Sequence, residues 1–290
     1  MTAISSIGSF QILGTLGAGA HSSILHIRRN ADKKHYALKV VPIESPASQK
    51  YLVQAEHELR VGRMLQHPNL VQVHALQKKR DWLFRVRKVH LLIEYVNGKT
   101  LDAIPKLTIP RLVQVFERIA QGLTHMHRRG VYHADLKPNN VMLSRQGEVK
   151  IIDYGLSWIK GEPKDRVQGT PEYMAPEQAR KSIVNEQTDI YNLGATMYRL
   201  TTWRHPPNPI PAGGGLALDA RTFAQMLKPV REYQPKAPAG LCDIIHQCLS
   251  YHANLRPRRV SEVYEALRDL AASLVRSPED GLDGIEWDKT

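Results

Sequence analysis

His133-Ala134-Asp135-Leu136-Lys137-Pro138-Asn139-Asn140, then Val141-Met142-Leu143, then Val149-Lys150-Ile151-Ile152-Asp153-Tyr154-Gly155, is the stretch from which the rest of the chain is read. It gathers two carboxylates (Asp135, Asp153), the Lys137 ammonium and the Asn140 amide within residues 133–155. Apolar β-type runs lie before and between these positions, so the polar groups fall at loop ends beside short strands. A rigid backbone then holds them while solvent and ligand can reach them. Phosphoryl transfer needs such a set: a group to orient a hydroxyl, oxygens to hold Mg2+, and a cation near the moving phosphate.

The bulk properties set the frame. A chain of 290 residues, 42% hydrophobic and 23% charged, is long enough for one large domain or two lobes and reads as globular. The two cysteines, Cys242 and Cys248, lie in an apolar helical pattern and read as reduced core thiols. The first ten residues have no basic segment followed by an apolar run, and no stretch reaches about 18 consecutive apolar residues. The expectation is a cytoplasmic protein without a membrane span. The net charge of +12 is partly local: Lys78, Lys79, Arg80, Arg85, Arg87 and Lys88 crowd around Trp82 and Phe84. That segment reads either as a solvated hairpin or as a docking patch for an acidic segment.

Moving outward, residues 10–29 read as two strands around Gly17-Ala18-Gly19-Ala20-His21-Ser22-Ser23-Ile24. Glycines there let the backbone approach phosphate oxygens and offer N–H groups to them. A dinucleotide-binding reading fails, because a strand rather than a helix follows. Tyr36-Ala37-Leu38-Lys39-Val40-Val41 puts a lysine inside an apolar strand, which is costly unless its ammonium finds partners. Residues 48–66 form a helical pattern with Leu52, Ala55, Leu59 and Leu65 on one stripe and Glu58 among them. Residues 70–76 and 89–96 read as further strands. A long helix follows from Pro110 to Arg128, closed by Gly130. His125 and His127 cannot share a metal with His133, since side chains two apart on a helix diverge. Residues 203–217 read as a mobile Pro- and Gly-rich surface loop, and helical patterns resume at 222–227, 241–249 and 261–274.

Taken together these segments resemble the protein kinases of the eukaryotic (Hanks) type, most closely their bacterial serine/threonine members, over roughly residues 10–272. H-A-D-L-K-P-N-N resembles the catalytic loop and Asp153-Tyr154-Gly155 the metal-binding D-F-G. The glycine turn, the Lys39 strand, Ala175-Pro176-Glu177, Asp189-Ile190-Tyr191-Asn192-Leu193-Gly194 and Asn254-Leu255-Arg256-Pro257 follow in the family's order. The resemblance implies an α+β, bilobal protein-kinase fold. Its N-lobe, residues 1–97, would be a five-stranded antiparallel sheet with the helix the family calls αC, here 48–66. Its mainly helical C-lobe would be 98–275, followed by a flexible acidic tail, 276–290.

The resemblance also implies roles. Lys39 would contact the α- and β-phosphates of ATP, paired with Glu58, which stands nine residues before His67-Pro68-Asn69-Leu70. Gly17, Ala18 and Gly19 would cover the phosphates. Ile24, Ala37 and Met142 would sandwich the adenine, the backbone of Glu94 and Val96 would bond its edge, and Ile93 would be the gatekeeper. Asp135 would orient the substrate hydroxyl and accept its proton, Lys137 would stabilise the γ-phosphoryl, and Thr170 would bond both. Asn140 and Asp153 would hold Mg2+, with Mn2+ a substitute. Asp189 would satisfy catalytic-loop N–H groups, and Glu177 would pair with Arg256. A lysine two residues after the catalytic aspartate is the serine/threonine pattern, so the implied partner is a protein substrate bearing Ser or Thr.

The departures carry expectations of their own. Ser22 replaces the third glycine and stiffens the loop. Gly62 falls where the family places a bracing side chain. It would leave a gap, weaken the helix by roughly 1 kcal/mol relative to alanine, and make αC a mobile control point. Tyr154 replaces phenylalanine. Ala134 replaces the arginine that pairs with an activation-loop phosphate, and no Ser, Thr or Tyr occurs from Trp158 to Gln168. Activity independent of loop phosphorylation is therefore expected. Thr100 and Asn139, where acids would select arginine-flanked substrates, are neutral, so no such preference is expected. The tail, with Glu279, Asp280, Asp283, Glu286 and Asp288 around Trp287, would be flexible or would dock on the 78–88 patch. A rival class, a kinase-fold scaffold with weak or no transfer, remains. Specific nucleic-acid binding would rest on charge alone, since no reading module is present.

Overall fold

The computed structural model describes residues 6–19, 21–162, 168–181, 184–209, 218–283 and 285. The chain forms two compact units. The first comprises Met1–Gln66, Leu70–Asn97 and Asp153–Gly155; the second comprises His67–Asn69, Gly98–Ile152 and Leu156–Thr290.

The first unit is built on an antiparallel sheet of β1 (Ser6–Ile7), β2 (Phe10–Gly19), β3 (Ser22–Arg29), β4 (His35–Pro42), β5 (Val73–Arg80) and β6 (Val86–Glu94). Their spatial order is β1-β2-β3-β4-β6-β5. The sheet therefore has six strands among the described residues rather than the expected five. The extra one is a two-residue strand, Ser6–Ile7, returned onto Phe10 and Gln11 by Gly8 at φ 58°. Two residues are too few to show a period of two, so it left no readable pattern. Helix α1 (Gln49–Met64) packs Ala55 against Val41, Ile43 and Val89.

Gly62 on α1 does not leave the gap its sequence position implied. A Cβ built there would stand 2.6 Å from both Cβ and Cγ2 of Val73. The side chain missing from the helix is replaced by one from the adjoining strand. Glycine is required here because helix and strand approach too closely for two side chains. The expected gap is thereby overturned: Val73 fills the space, and Val61 and Val73 are both buried.

In the second unit, β7 (Gly98–Thr100), β9 (Val141–Ser144) and β10 (Val149–Ile151) form one small sheet, and β8 (Val131–Tyr132) with β11 (Trp158–Ile159) another. Helix α2 (Ile109–Arg128) carries Pro110 in its first turn and ends before Gly130 at φ 69°. It is followed by α3 (Pro176–Lys181), α4 (Glu186–Thr202), α5 (Ala220–Met226), α6 (Val230–Tyr233), α7 (Ala239–Cys248) and α8 (Val260–Leu274). Helix α4 is buried almost all round because α2, α7 and α8 surround it. Asn185 caps it, accepting from the N–H groups of Gln187 and Thr188. Both cysteines are free and buried.

The described part of the acidic tail packs against α2. Arg111 of α2 donates to the carbonyls of Glu279 (2.8 Å) and Gly281 (3.0 Å), and Gln114 to that of Asp280 (2.6 Å). Leu282 and Ile285 are buried. Gly147, at φ 79°, lets the Leu282 and Asp283 backbone come within 2.9 Å of where a Cβ would be. Main-chain carbonyls, not the acidic side chains, make these bonds, so composition could not reveal them. Glu286, Trp287 and Asp288, Ala20, the 163–167 part of the activation segment and the 210–217 part of the Pro- and Gly-rich loop lie outside the described residues.

Candidate active site

In the first unit, Leu38 and Val41 of strand β4 are buried, and Lys39 between them is half-buried with partners for its ammonium. Its ammonium donates to Glu58 Oε2 at 2.7 Å and stands 3.8 Å from Asp153 Oδ1. Glu58 is only 2% exposed. Burial pushes its carboxyl up, against the pull of the Lys39 ammonium. Burial opposes the charge on Lys39, but the two carboxylates outweigh it and keep the lysine protonated. Asp153 holds a strained backbone (φ 65°), steadied by the Gly155 N–H donating to its own carboxylate at 3.0 Å. Tyr154 is wholly buried, and its hydroxyl donates to the Val71 carbonyl at 2.9 Å. The hydroxyl that distinguishes it from phenylalanine is thus spent on tying the D-Y-G segment to the sheet.

The glycine turn is informative for what surrounds it. A Cβ at Gly14 or Gly17 would meet nothing within 4 Å, and at Gly19 only Ser22, at 3.5 Å. None of the three has a positive φ. Among the described residues neither packing nor turn geometry calls for glycine at these positions. His21 beside it stacks on Tyr51 of α1, ring centroids 4.4 Å apart. Ile24 and Lys39 are register partners across β3 and β4, and Ala37 and Ile93 across β4 and β6. Val96 is buried just after β6, and the Glu94 carboxylate accepts the Gln72 N–H at 2.9 Å. Met142 of the adenine set sits in the second unit, on β9 opposite Thr100 and Lys150.

In the second unit Asp189, 0% exposed at the start of α4, accepts the N–H groups of His133 and Ala134, both at 2.8 Å. These bonds hold Ala134 at φ 66° and so aim the next residue, Asp135. Asp135 Oδ1 accepts from the Thr170 N–H (2.8 Å) and hydroxyl (2.7 Å), and Oδ2 from Lys137 at 2.9 Å. Lys137 also reaches the Thr170 hydroxyl. The Asn140 amide N–H group donates to the Asp135 carbonyl at 2.8 Å.

Three features here had no counterpart in the sequence reading. Gln178, wholly buried, donates to the carbonyls of Ala134 and Gln168, each at 2.8 Å, and accepts the Ala175 N–H at 3.3 Å. It bridges the catalytic loop and the activation segment where a phosphate and arginine would otherwise do so. His127 places Nε2 2.8 Å from Asp189 and Nδ1 3.2 Å from Glu186, the latter a charge contact rather than an aligned hydrogen bond. Burial acts against its charge, yet the two carboxylates raise it to about 9. Asn139 donates to the exposed Asp102 carboxylate at 2.6 Å. The neutral pair Thr100 and Asn139 therefore has an acid beside it. Glu177 and Arg256 form a two-pronged buried pair at 2.8 and 2.9 Å. Among the described residues no group of three or more His, Cys, Asp or Glu could hold a metal on its own.

A protein kinase domain model matches residues 10–267. The chain belongs to the protein kinase family. A probable serine/threonine-protein kinase of Streptomyces coelicolor is 30% identical over 209 residues, which is 69% of this chain and 31% of that protein. The serine/threonine-protein kinase PrkC of Bacillus subtilis is 26% identical over 207 residues, again 69% and 31%. Aurora kinase C of Mus musculus is 26% identical over 261 residues, 86% of this chain and 88% of its own. The chain spans about a third of the length of the two bacterial relatives. This kinase domain thus carries Lys39, Glu58 and Asp153 together in one unit, and Asp135, Lys137, Asn140 and Thr170 together in the other.

Proposed function

We propose that this kinase domain transfers the γ-phosphoryl group of ATP to serine or threonine hydroxyls of proteins, without phosphorylation of its own activation segment. The observation that carries the reading is the Asp135–Lys137–Thr170 triangle. Asp135 is clamped by donors on both carboxylate oxygens, at the position from which it would take the hydroxyl proton. As the substrate oxygen bonds to phosphorus, the bridging bond to ADP breaks and the proton passes to Asp135. Lys137 lies beside that carboxylate and offsets charge on the moving group. Lys39, fixed by Glu58, meets the non-transferred phosphates. Asn140 and Asp153 would hold Mg2+, or Mn2+, which neutralises charge on the phosphates when bound.

Independence from loop phosphorylation rests on four facts. Ala134 offers no guanidinium, no hydroxyl stands from Trp158 to Gln168, Ser157 is buried, and Gln178 already ties the segment down. Among the described residues no helix is long and apolar enough to cross a membrane.

The test is transfer of labelled γ-phosphate from Mg-ATP to the chain itself and to a generic basic protein. Asp135→Asn should lower the rate by at least about a hundredfold while nucleotide still binds. Nucleotide binding with no transfer by the unaltered chain would overturn the reading in favour of a scaffold. Loss of activity on phosphatase treatment would overturn phosphorylation independence.

A further inference from the structure

The β5–β6 hairpin has a construction that phosphoryl transfer does not use. Its turn is rigid. Asp81 Oδ1 accepts the N–H groups of Leu83 and Arg85, both at 2.9 Å, and Oδ2 accepts from Arg87 at 2.8 Å. Arg80 donates to the Phe84 carbonyl at 2.7 Å, and Phe84 is held at φ 60°, an uncommon conformation for a bulky residue. What this frame holds out is apolar: Trp82 is 85% exposed, Phe84 79% and Leu83 44%. Three adjacent large apolar side chains thus stand in solvent at the hairpin tip.

Behind the tip stands a collar of cations. Lys79 and Lys88 face each other across the strands, a like-charge pair that destabilises a sheet. Arg80 and Arg87 are next to them in sequence, at an irregularity in the ladder, and both are exposed. No carboxylate of the described residues pairs with Lys79, Lys88 or Arg85. The field of Lys79 and Lys88 also helps burial to hold His90 below its usual range. Strand β5 is the sheet edge, and lysines there discourage edge pairing. That accounts for Lys78 and Lys79 but not for Arg87 and Lys88 on the inner strand β6, nor for the apolar tip.

We propose that this hairpin docks the kinase domain on an anionic bilayer, Trp82, Leu83 and Phe84 entering the headgroup layer and the collar meeting acidic lipids. A protein or peptide partner would engage one face of the hairpin. Here exposed cations stand behind the tip on both strands, which suits a continuous negative surface met end-on. Aromatic rings favour the water–hydrocarbon boundary, and clustered Lys and Arg add attraction to acidic headgroups.

The full chain should sediment with vesicles of phosphatidylcholine containing roughly one part in three phosphatidylserine, and not with phosphatidylcholine alone. Roughly 0.5 M salt should release it. The double variant W82S/F84S should lower vesicle affinity at least about tenfold with an unchanged unfolding temperature, since both side chains lie in solvent. The charge variant K79Q/K88Q should weaken binding at low salt. No retention on acidic vesicles, retention that both variants keep, or binding of polyglutamate with none to vesicles would each overturn the proposal. The last would assign the hairpin to an acidic protein segment.

Discussion

Replacing Gln178 by leucine is the sharpest test of how the activation segment is held. Leucine is close to glutamine in volume, so little cavity opens. What is lost is two donated bonds of 2.8 Å, to Ala134 and Gln168, and one accepted bond of 3.3 Å from Ala175. A buried polar group stripped of its partner costs about 1–3 kcal/mol. The two short bonds therefore weigh about 2–6 kcal/mol, with the longer one adding little. The chain can relieve most of this without unfolding, by letting the segment at Gln168 move into water. Its closed state would then lose a factor of roughly thirty to about twenty thousand against open states, at about 1.4 kcal/mol per tenfold. Hydrogen exchange at the N–H groups of Thr170 and Tyr173, which bond Asp135 and Thr170, reads that opening directly. Phosphoryl transfer should fall with it while nucleotide affinity stays, since Gln178 bonds none of the residues proposed to hold the nucleotide. Gln178→Glu keeps the acceptor but turns lone pairs towards two carbonyls, and should do no better. A folded Gln178→Leu chain with unchanged exchange at Thr170 and unchanged turnover would refute the bridging role. A lower unfolding temperature without local opening would reduce it to packing.

Other outcomes follow from single contacts. Gly62→Ala should destabilise by about 1 kcal/mol in a urea titration, because overpacking against Val73 at 2.6 Å costs about 1–3 kcal/mol and helix propensity returns only about 1; stabilisation would mean the gap exists. His127 titrates at about 9 in the folded chain against 6.5 unfolded, so its contribution is whole below about pH 6.5 and is lost as pH rises through 9. That 2.5-unit shift corresponds to about 3 kcal/mol, visible as a falling urea midpoint across this window that His127→Gln removes. Glu177→Ala strips the wholly buried Arg256 of its carboxylate and should cost about 3–5 kcal/mol, at the lower end because carbonyls of Ser250, Gln187 and Tyr251 remain, read by thermal unfolding.

Much of the site was legible because its chemistry is local in the chain. Asp135, Lys137 and Asn140 fall within one loop, Asp153 follows one hairpin later, and a lysine in an apolar strand announces a partner. Side-chain period likewise marked β2 to β6, α1, α2 and α8, since alternation and helical spacing report which face a residue takes. The same signal cannot report what stands opposite that face. Gly62 read as a missing brace until Val73, on another element, proved to occupy the space. Asn139 read as neutral until Asp102 came to its side.

By itself, then, the order of residues determined the family, the alternation of elements and the residue types able to carry phosphoryl transfer. Those depend on covalent spacing and on periods of two and 3.6. Only the tertiary structure decided that Gln178 spans 44 positions to reach Ala134, that Asp189 makes His127 a cation from 62 positions away, and that the tail's carbonyls find Arg111 across 168 and 170. Such pairings arise because buried polar groups must be satisfied by whatever packing brings near, a condition on three-dimensional neighbours that no local pattern in the chain records.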